Sequence, residues 1–289
     1  MGANDIIGCL RVRQWTKNIL IFAALVFSHH IHQPEYTLRV AAAFLLFSLV
    51  SGAVYILNDL VDVGRDRAHP VKKNRPIASG RVSTAAAVTL LAALTAVSLP
   101  TAFLLNMQFG LILVLYIAIQ SLYSFRFKNV VILDVFVISL GFLLRVIGGA
   151  VVIEVPISNW ILVCTMLLSL FLVLSKRRHE LTLLEGEADS HRLILREYSP
   201  YLLDQMIGIV TSATLVAYTI FTMSSETIEK FGPNMVLTVP FVLYGIFRYL
   251  YLVHRKNAGG SPEEVLLTDL PLQICIALYG VVSLLVIYL

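Results

Sequence analysis

Four residues at the end of an apolar stretch, Asn58, Asp59, Asp62 and Asp66, have the types and the spacing to hold a hard metal ion. Asn58, Asp62 and Asp66 recur every fourth position and Asp59 lies three before Asp62, so a helix continuing out of the apolar run would present all four on one face. Like charges so spaced repel one another, and a cation must compensate them. Carboxylate and amide oxygens without a thiolate suit Mg²⁺, which keeps some of its waters and shares itself with substrate phosphates. The plainer reading is a solvated helix end whose acids pair with Arg65 and Arg67.

Directly downstream lies a basic loop, His69, Pro70, Lys72, Lys73, Arg75, Pro76 and Gly80. Lysine offers phosphate a point charge and arginine a planar fork, so an acidic helix end beside this loop reads as a place for a metal-bound diphosphate. A second segment holds Tyr123, Ser124, Arg126 and Lys128, after which Asp134 enters another apolar run. Arg145 follows on nearly the same helical face, about 16 Å further along. Ionisable groups at such depth are expensive and mark function or a buried pair. A third segment opens Lys176, Arg177, Arg178, His179, Glu180 and continues through Glu185, Glu187, Asp189, His191 and Arg192. Arg178 and Arg192 there could equally attract anionic lipid, and the two histidines read as surface residues.

The elements that must position these groups are membrane helices. Hydrophobic residues make up 58% of the 289 and charged ones 14%, far from the balance of a soluble domain. The mean hydropathy is +0.82. Nine apolar runs stand near residues 18–31, 39–57, 83–105, 109–125, 130–152, 158–175, 205–224, 234–253 and 270–289, each close to the ~20 residues that cross a bilayer. The predicted fold is all-α, a polytopic bundle of about nine spans with cytoplasmic cap loops, forming a single integral membrane domain over residues 1–289. Placing the N-terminus in the cytoplasm puts 18 of the 22 Lys and Arg on the inner side and only Arg39 and Lys230 outside, as positive-inside orientation requires. The expected location is the inner (plasma) membrane, with the C-terminus outside. A net charge of +4 concentrated in short loops speaks for membrane orientation, not for nucleic acid. Cys9, Cys164 and Cys275 give no disulfide or metal spacing, and Arg11, Arg13 and Lys17 precede an apolar run lacking a cleavage site.

The string Asn58-Asp59-x-x-Asp62-x-x-x-Asp66, with Arg75-Pro76 and Gly80 after it, resembles the first signature of the UbiA superfamily of intramembrane prenyltransferases. His69-Pro70-x-Lys72-x-x-Arg75-Pro76-Ile77-Ala78-Ser79-Gly80, the stretches Tyr123-Ser124 to Lys128 and Leu133-Asp134-Val135 to Leu144-Arg145, and the opening Arg13-x-x-x-Lys17-Asn18 resemble more narrowly the branch that transfers phosphoribose to decaprenyl phosphate. The family carries a second acidic motif in the inner loop after the sixth span. This chain has Lys176-Arg177-Arg178-His179-Glu180 there, which argues against a prenyl diphosphate donor.

The resemblance therefore implies a Mg²⁺-dependent glycosyltransferase that moves 5-phosphoribose from phosphoribosyl diphosphate (PRPP) to a polyprenyl phosphate and releases diphosphate, serving arabinose donors of the cell envelope. Asn58, Asp59, Asp62 and Asp66 would hold the metal, with Asp59, Asp62, Asp66, Tyr123 and Asp134 catalytic. Arg13, Lys17, Asn18, Lys72, Arg75, Lys128, Arg145, Lys176, Arg177 and Glu180 would bind substrate. The partners are those two substrates and the lipid bilayer, and a homo-oligomer is compatible with the reading. The rivals are a prenyltransferase joining a prenyl diphosphate to an aromatic or haem-like acceptor and, in another class, an anion transporter.

Overall fold

The computed structural model describes residues 2–183, 193–256, 260 and 262–288, and among them there is no β-strand. Eight of the nine apolar runs fold as helices long and apolar enough to cross a membrane: Pro34–Val61, Thr84–Leu105, Met107–Phe125, Leu133–Val152, Asn159–Thr182, Pro200–Met223, Pro233–Arg255 and Leu270–Tyr288. Two of them outrun their apolar cores in a way that matters. The helix beginning at Pro34 reaches Val61 and so carries Asn58 and Asp59 within it, and the helix beginning at Asn159 continues to Leu183, carrying the Lys176 to Glu180 segment.

Two compact units divide the chain near residue 157. The first contains α1 (Ala3–Leu10), a 3-10 segment (Val12–Phe22), α2 (Ala23–Phe27), α3 (Pro34–Val61), α4 (Val63–Ala68), α5 (Thr84–Leu105), α6 (Met107–Phe125) and α7 (Leu133–Val152). Helix α3 is its hub, touching α1, the 3-10 segment, α5, α6 and α7. Phe47, Phe109, Leu113, Tyr116 and Leu144 fill the space between them. A single residue, Asn106, joins α5 to α6 and caps the second helix by accepting the Phe109 N–H, which satisfies one of its orphan donors.

The ninth run has an unusual form. Instead of an α-helix near 18–31, the chain enters at Val12 as an eleven-residue 3-10 segment and continues into the five residues of α2. This rod lies antiparallel along α3: Arg11 meets Asp59, Asn18 meets Ser48, Phe22 stacks on Phe44 and His30 on Tyr36. Residues 44 to 59 of α3 rise about 22 Å at the α-helical pitch, and residues 11 to 22 rise about 22 Å at the steeper 3-10 pitch. The tighter winding lets fewer residues cover the same thickness, so the count of about nine crossings holds. Three residues per turn also put Trp15, Asn18 and Ile21 on one side, and the last two are buried. Gly149 of α7 permits the fit, because a Cβ there would come within 1.9 Å of the Ile21 carbonyl oxygen.

The second unit contains α8 (Asn159–Leu183), α9 (Pro200–Met223), α10 (Ser225–Phe231), a 3-10 turn (Pro233–Thr238), α11 (Val239–Arg255), α12 (Pro262–Thr268) and α13 (Leu270–Tyr288). Helices α8 and α9 pack side by side, as do α11 and α13. Arg248, a charge inside the span of α11, is answered by both oxygens of Asp269 at 3.0 and 2.7 Å, just before α13.

Candidate active site

At the last turn of α3 the chain pauses at Asp62 and resumes as α4 with nearly continuous backbone hydrogen bonding, Asp62 N–H to Asn58 O and Asp66 N–H to Asp62 O. The four metal-candidate residues therefore do follow one another up a helical rise, but as two neighbouring stripes. Asp59 and Asp66, seven apart, face one way, and Asn58 and Asp62, four apart, face another.

The Asp59 and Asp66 stripe converges on one atom. Arg75 Nη1 donates to Asp59 Oδ1 at 3.1 Å and to Asp66 Oδ2 at 2.6 Å, and Arg11 Nη2 donates to the same Asp59 oxygen. Both acids are buried, Asp59 at 3% exposure and Asp66 at 4%. Burial that deep is tolerable for a carboxylate only with a close counter-charge. The second stripe has separate partners: Lys128 Nζ donates to Asp62 Oδ1 at 2.6 Å, Arg65 stands 3.9 Å from that oxygen, and Ser124 Oγ donates to Asn58 Oδ1 at 3.3 Å. Arg67 pairs with none of these acids and donates instead to the Ala78 carbonyl. This helix end is thus a buried, internally neutralised acidic pole.

Local sequence explains why the basic loop is in place. Pro76, Ile77 and Ala78 are buried, and Ile77 packs with Cys9, Ile56, Val82 and Ala87. His69 Nδ1 accepts the backbone N–H groups of Val71 and Lys72, capping the short turn Lys72–Asn74. Arg81 donates to Asn74 O and to Asp5, and Gly80 closes the turn with φ of +80°, a conformation glycine adopts freely. Cys9, in α1 outside the spans, has its thiol pushed above the usual range, by burial first and by Asp59 and Asp5 nearby second. It is packing, not a nucleophile.

The other sequence candidates fall as follows. Tyr123 is buried at the end of α6, next to Ser124, and Asp134 is fully buried in the first turn of α7. Ile132 just before it is held at φ +69°, a costly conformation for a β-branched residue. Arg13 is exposed on the 3-10 segment and Lys17 donates to Gln14 Oε1. Asn18 and Arg145 are brought together deeper in the unit, Arg145 Nε donating to Asn18 Oδ1 at 2.6 Å. Lys72 is half-buried at the turn that His69 caps. Lys176, Arg177 and Glu180 belong to α8 in the second unit, where Arg177, only 2% exposed, donates to Glu180 at 2.7 Å. Arg178 is drawn to Asp204 of α9. Glu185, Glu187, Asp189, His191 and Arg192 lie outside the described residues. Arg11 was not singled out from the sequence as a site residue, and nothing local ties it to an acid 48 positions away.

Among the described residues no three Asp, Glu, His or Cys side chains form one ready ligand set. The donor chemistry nonetheless suits a hard cation. Two buried carboxylate oxygens already point at one positive centre, Arg75 Nη1, with a third carboxylate and an amide oxygen on the adjoining stripe. An oxygen-only set of this kind is what Mg²⁺ accepts.

The model of the UbiA prenyltransferase family matches residues 18–265. The chain belongs to that family. Among its relatives in the UbiA prenyltransferase family, the decaprenyl-phosphate phosphoribosyltransferase of Mycobacterium tuberculosis is 34% identical over 275 residues, covering 93% of this chain and 89% of its own length. The enzyme of the same name from Mycolicibacterium smegmatis is 32% identical over 283 residues, covering 94% and 88%. In fold, the chain is similar to a UbiA homolog from Archaeoglobus fulgidus solved with GPP and Mg²⁺, with a TM-score of 0.72 and 18% identity over 99% of this chain and 100% of that one.

Proposed function

We propose that this membrane protein transfers 5-phosphoribose from PRPP to a long-chain polyprenyl phosphate, releasing diphosphate. The observation that carries the reading is the 32–34% identity, over more than nine-tenths of the chain, with transferases named for decaprenyl phosphate and phosphoribose. It is supported by an acidic pole set beside a basic loop, and by the basic run Lys176-Arg177-Arg178 where the resemblance places the family's second acidic motif.

Asp59 and Asp66, with Asp62 and Asn58 beside them, would hold Mg²⁺. Bound there, the ion would offset charge on the departing diphosphate. The chain's own cations do the rest. Arg75 and Arg11 are forks aimed into the pole and can donate to diphosphate oxygens. Lys128, only 6% exposed, neutralises Asp62 and keeps that carboxylate from repelling the incoming anion. The acceptor phosphate is already ionised at neutral pH, so it attacks the ribose C1 without a strong general base, and holding it in line is the larger contribution. Lys17, Lys72 and Arg13, all in the first unit with the acidic pole, are the groups for that task. Tyr123 and Asp134, buried at the ends of α6 and α7, orient this machinery.

The active face is cytoplasmic, together with the N-terminus, and the C-terminus is outside. The inward bias of Lys and Arg supports this, as does the antiparallel run of the 3-10 segment along α3, with Arg11 at the acidic end of that helix. The deciding assay offers purified protein labelled PRPP or a labelled prenyl diphosphate, with Mg²⁺ and a polyprenyl phosphate or an aromatic acceptor. Label passing from PRPP into the lipid phase supports the reading. Use of the prenyl diphosphate alone, or accumulation in sealed vesicles without a covalent product, would replace it.

A further inference from the structure

We propose that Arg11 and Arg75 are resident counter-ions of the acidic pole that are exchanged for the donor's divalent cation, so that the metal enters with its diphosphate and binds weakly by itself. The proposal rests on the reading of the pole as a metal-diphosphate site and adds how that site is filled.

Three observations carry it. The first is occupancy: Arg75 Nη1 sits where the Asp59 and Asp66 oxygens converge, and Arg11 takes a further position on Asp59. A cation held by those oxygens needs the place Arg75 now fills. The second is charge. Asp59, Asp62 and Asp66 contribute three negative charges, which Arg11, Arg75 and Lys128 meet in close ion pairs, with Arg65 a more distant fourth cation 3.9 Å from Asp62. A divalent ion entering alone would have to turn two guanidinium groups out of ion pairs with no anion to receive them, which is unfavourable in a partly desolvated site. A diphosphate entering with the ion supplies that anion, and the released forks suit its oxygens.

The third observation is which partners can move. The Asp59 and Asp66 side chains are 3% and 6% exposed, whereas Arg11 and Arg75 are 21% and 25% exposed. The acids are fixed in the bundle and the arginines sit at its edge. Arg11 also occupies a joint. It ends α1 and begins the 3-10 segment at φ +49°, a left-handed conformation that is costly for a side chain this large and is found where segments switch. Its guanidinium also rests over the Tyr55 ring at 5.0 Å, a second surface that keeps the side chain near the pole when it leaves Asp59.

Linkage gives the test. If the arginines compete with the metal and then bind the diphosphate, metal and diphosphate must strengthen each other's binding equally. Mn²⁺ binding to the purified full-length protein is measured by electron paramagnetic resonance, alone, with PRPP and with inorganic diphosphate. In the wild type, diphosphate tightens Mn²⁺ about tenfold or more. Arg75→Gln binds Mn²⁺ alone about tenfold more tightly than the wild type and loses most of the diphosphate enhancement. Arg11→Gln moves both quantities the same way by less, and reads the exchange by itself if Arg75→Gln does not fold. Unchanged or weaker Mn²⁺ binding in the folded variants, with the wild-type enhancement intact, overturns the exchange. If inorganic diphosphate gives this pattern and PRPP binds under no condition, the exchange stands and the donor assignment falls.

Discussion

Arg145 Nε donates a 2.6 Å hydrogen bond to Asn18 Oδ1, joining residues 127 positions apart. Asn18 in turn donates to Ser48 of α3 at 2.8 Å, while Arg145 also donates to Gly141 O and Tyr116 Oη and stands over the rings of Phe47, Tyr116 and Phe142. No carboxylate among the described residues pairs with it. Dipoles and ring faces receive the charge, and the result ties the 3-10 segment, α3, α6 and α7 into one frame beneath the acidic pole. Arg145→Ala should destabilise the protein by about 2–4 kcal/mol, because it strips a fully satisfied cation and orphans the Asn18 amide oxygen. Arg145→Lys should recover little, since one ammonium cannot span those partners. Thermal unfolding in detergent measures both.

Gly149 should tolerate nothing larger. A methyl group there meets the Ile21 carbonyl at 1.9 Å, whereas one at Gly208 meets nothing within 4 Å. Gly149→Ala is expected to cost about 2 kcal/mol or more and to loosen the N-terminal rod, with Gly208→Ala within about 0.5 kcal/mol of the wild type. Melting temperature and proteolysis of the first thirty residues report the outcome.

How much of this was legible beforehand follows physical lines. Hydropathy exposed eight long helices, and charge spacing exposed the acidic segment and Arg75, because both signals are local in sequence. The first crossing was displaced. A window reading favours the apolar residues 18–31, while the rod begins at Val12, since three residues per turn let Arg13, Gln14 and Lys17 flank a face made of Trp15, Asn18 and Ile21. Arg11 escaped for a different reason. Its role depends on a positive φ and on contact with a distant helix, and neither leaves a periodic trace. The pairing of Arg248 with Asp269 was hidden likewise, being set by how α11 packs on α13.

Lys128 and Asp62 offer a separation of stability from chemistry. Lys128→Met leaves Asp62 with only the distant, largely exposed Arg65 as counter-charge and should cost about 2 kcal/mol. Adding Asp62→Asn should restore most of that stability while transfer stays lost. A double-mutant cycle on unfolding, run beside the PRPP assay, distinguishes the two.

Acid sensitivity should have a component in the second unit. The Arg248 hydrogen bonds hold the Asp269 carboxyl below its ordinary value near 3.8, with the Leu272 N–H adding to the effect. A carboxyl lowered on folding contributes stability that is present above that ordinary value and is lost as pH falls through the folded one. Melting temperatures between neutral pH and pH about 3 should therefore drop more steeply for the wild type than for Asp269→Asn. Parallel curves would remove this pair as a source.

The central claim is that the buried Asp59 and Asp66 pair serves metal-assisted departure of diphosphate from PRPP. It is tested most directly by passage of label from PRPP into polyprenyl phosphate, comparing the wild type with Asp66→Asn at equal amounts of folded, monodisperse protein. The account predicts lipid-phase label with the wild type and a loss of about a hundredfold or more in the variant. Transfer by Asp66→Asn at the wild-type rate would contradict it.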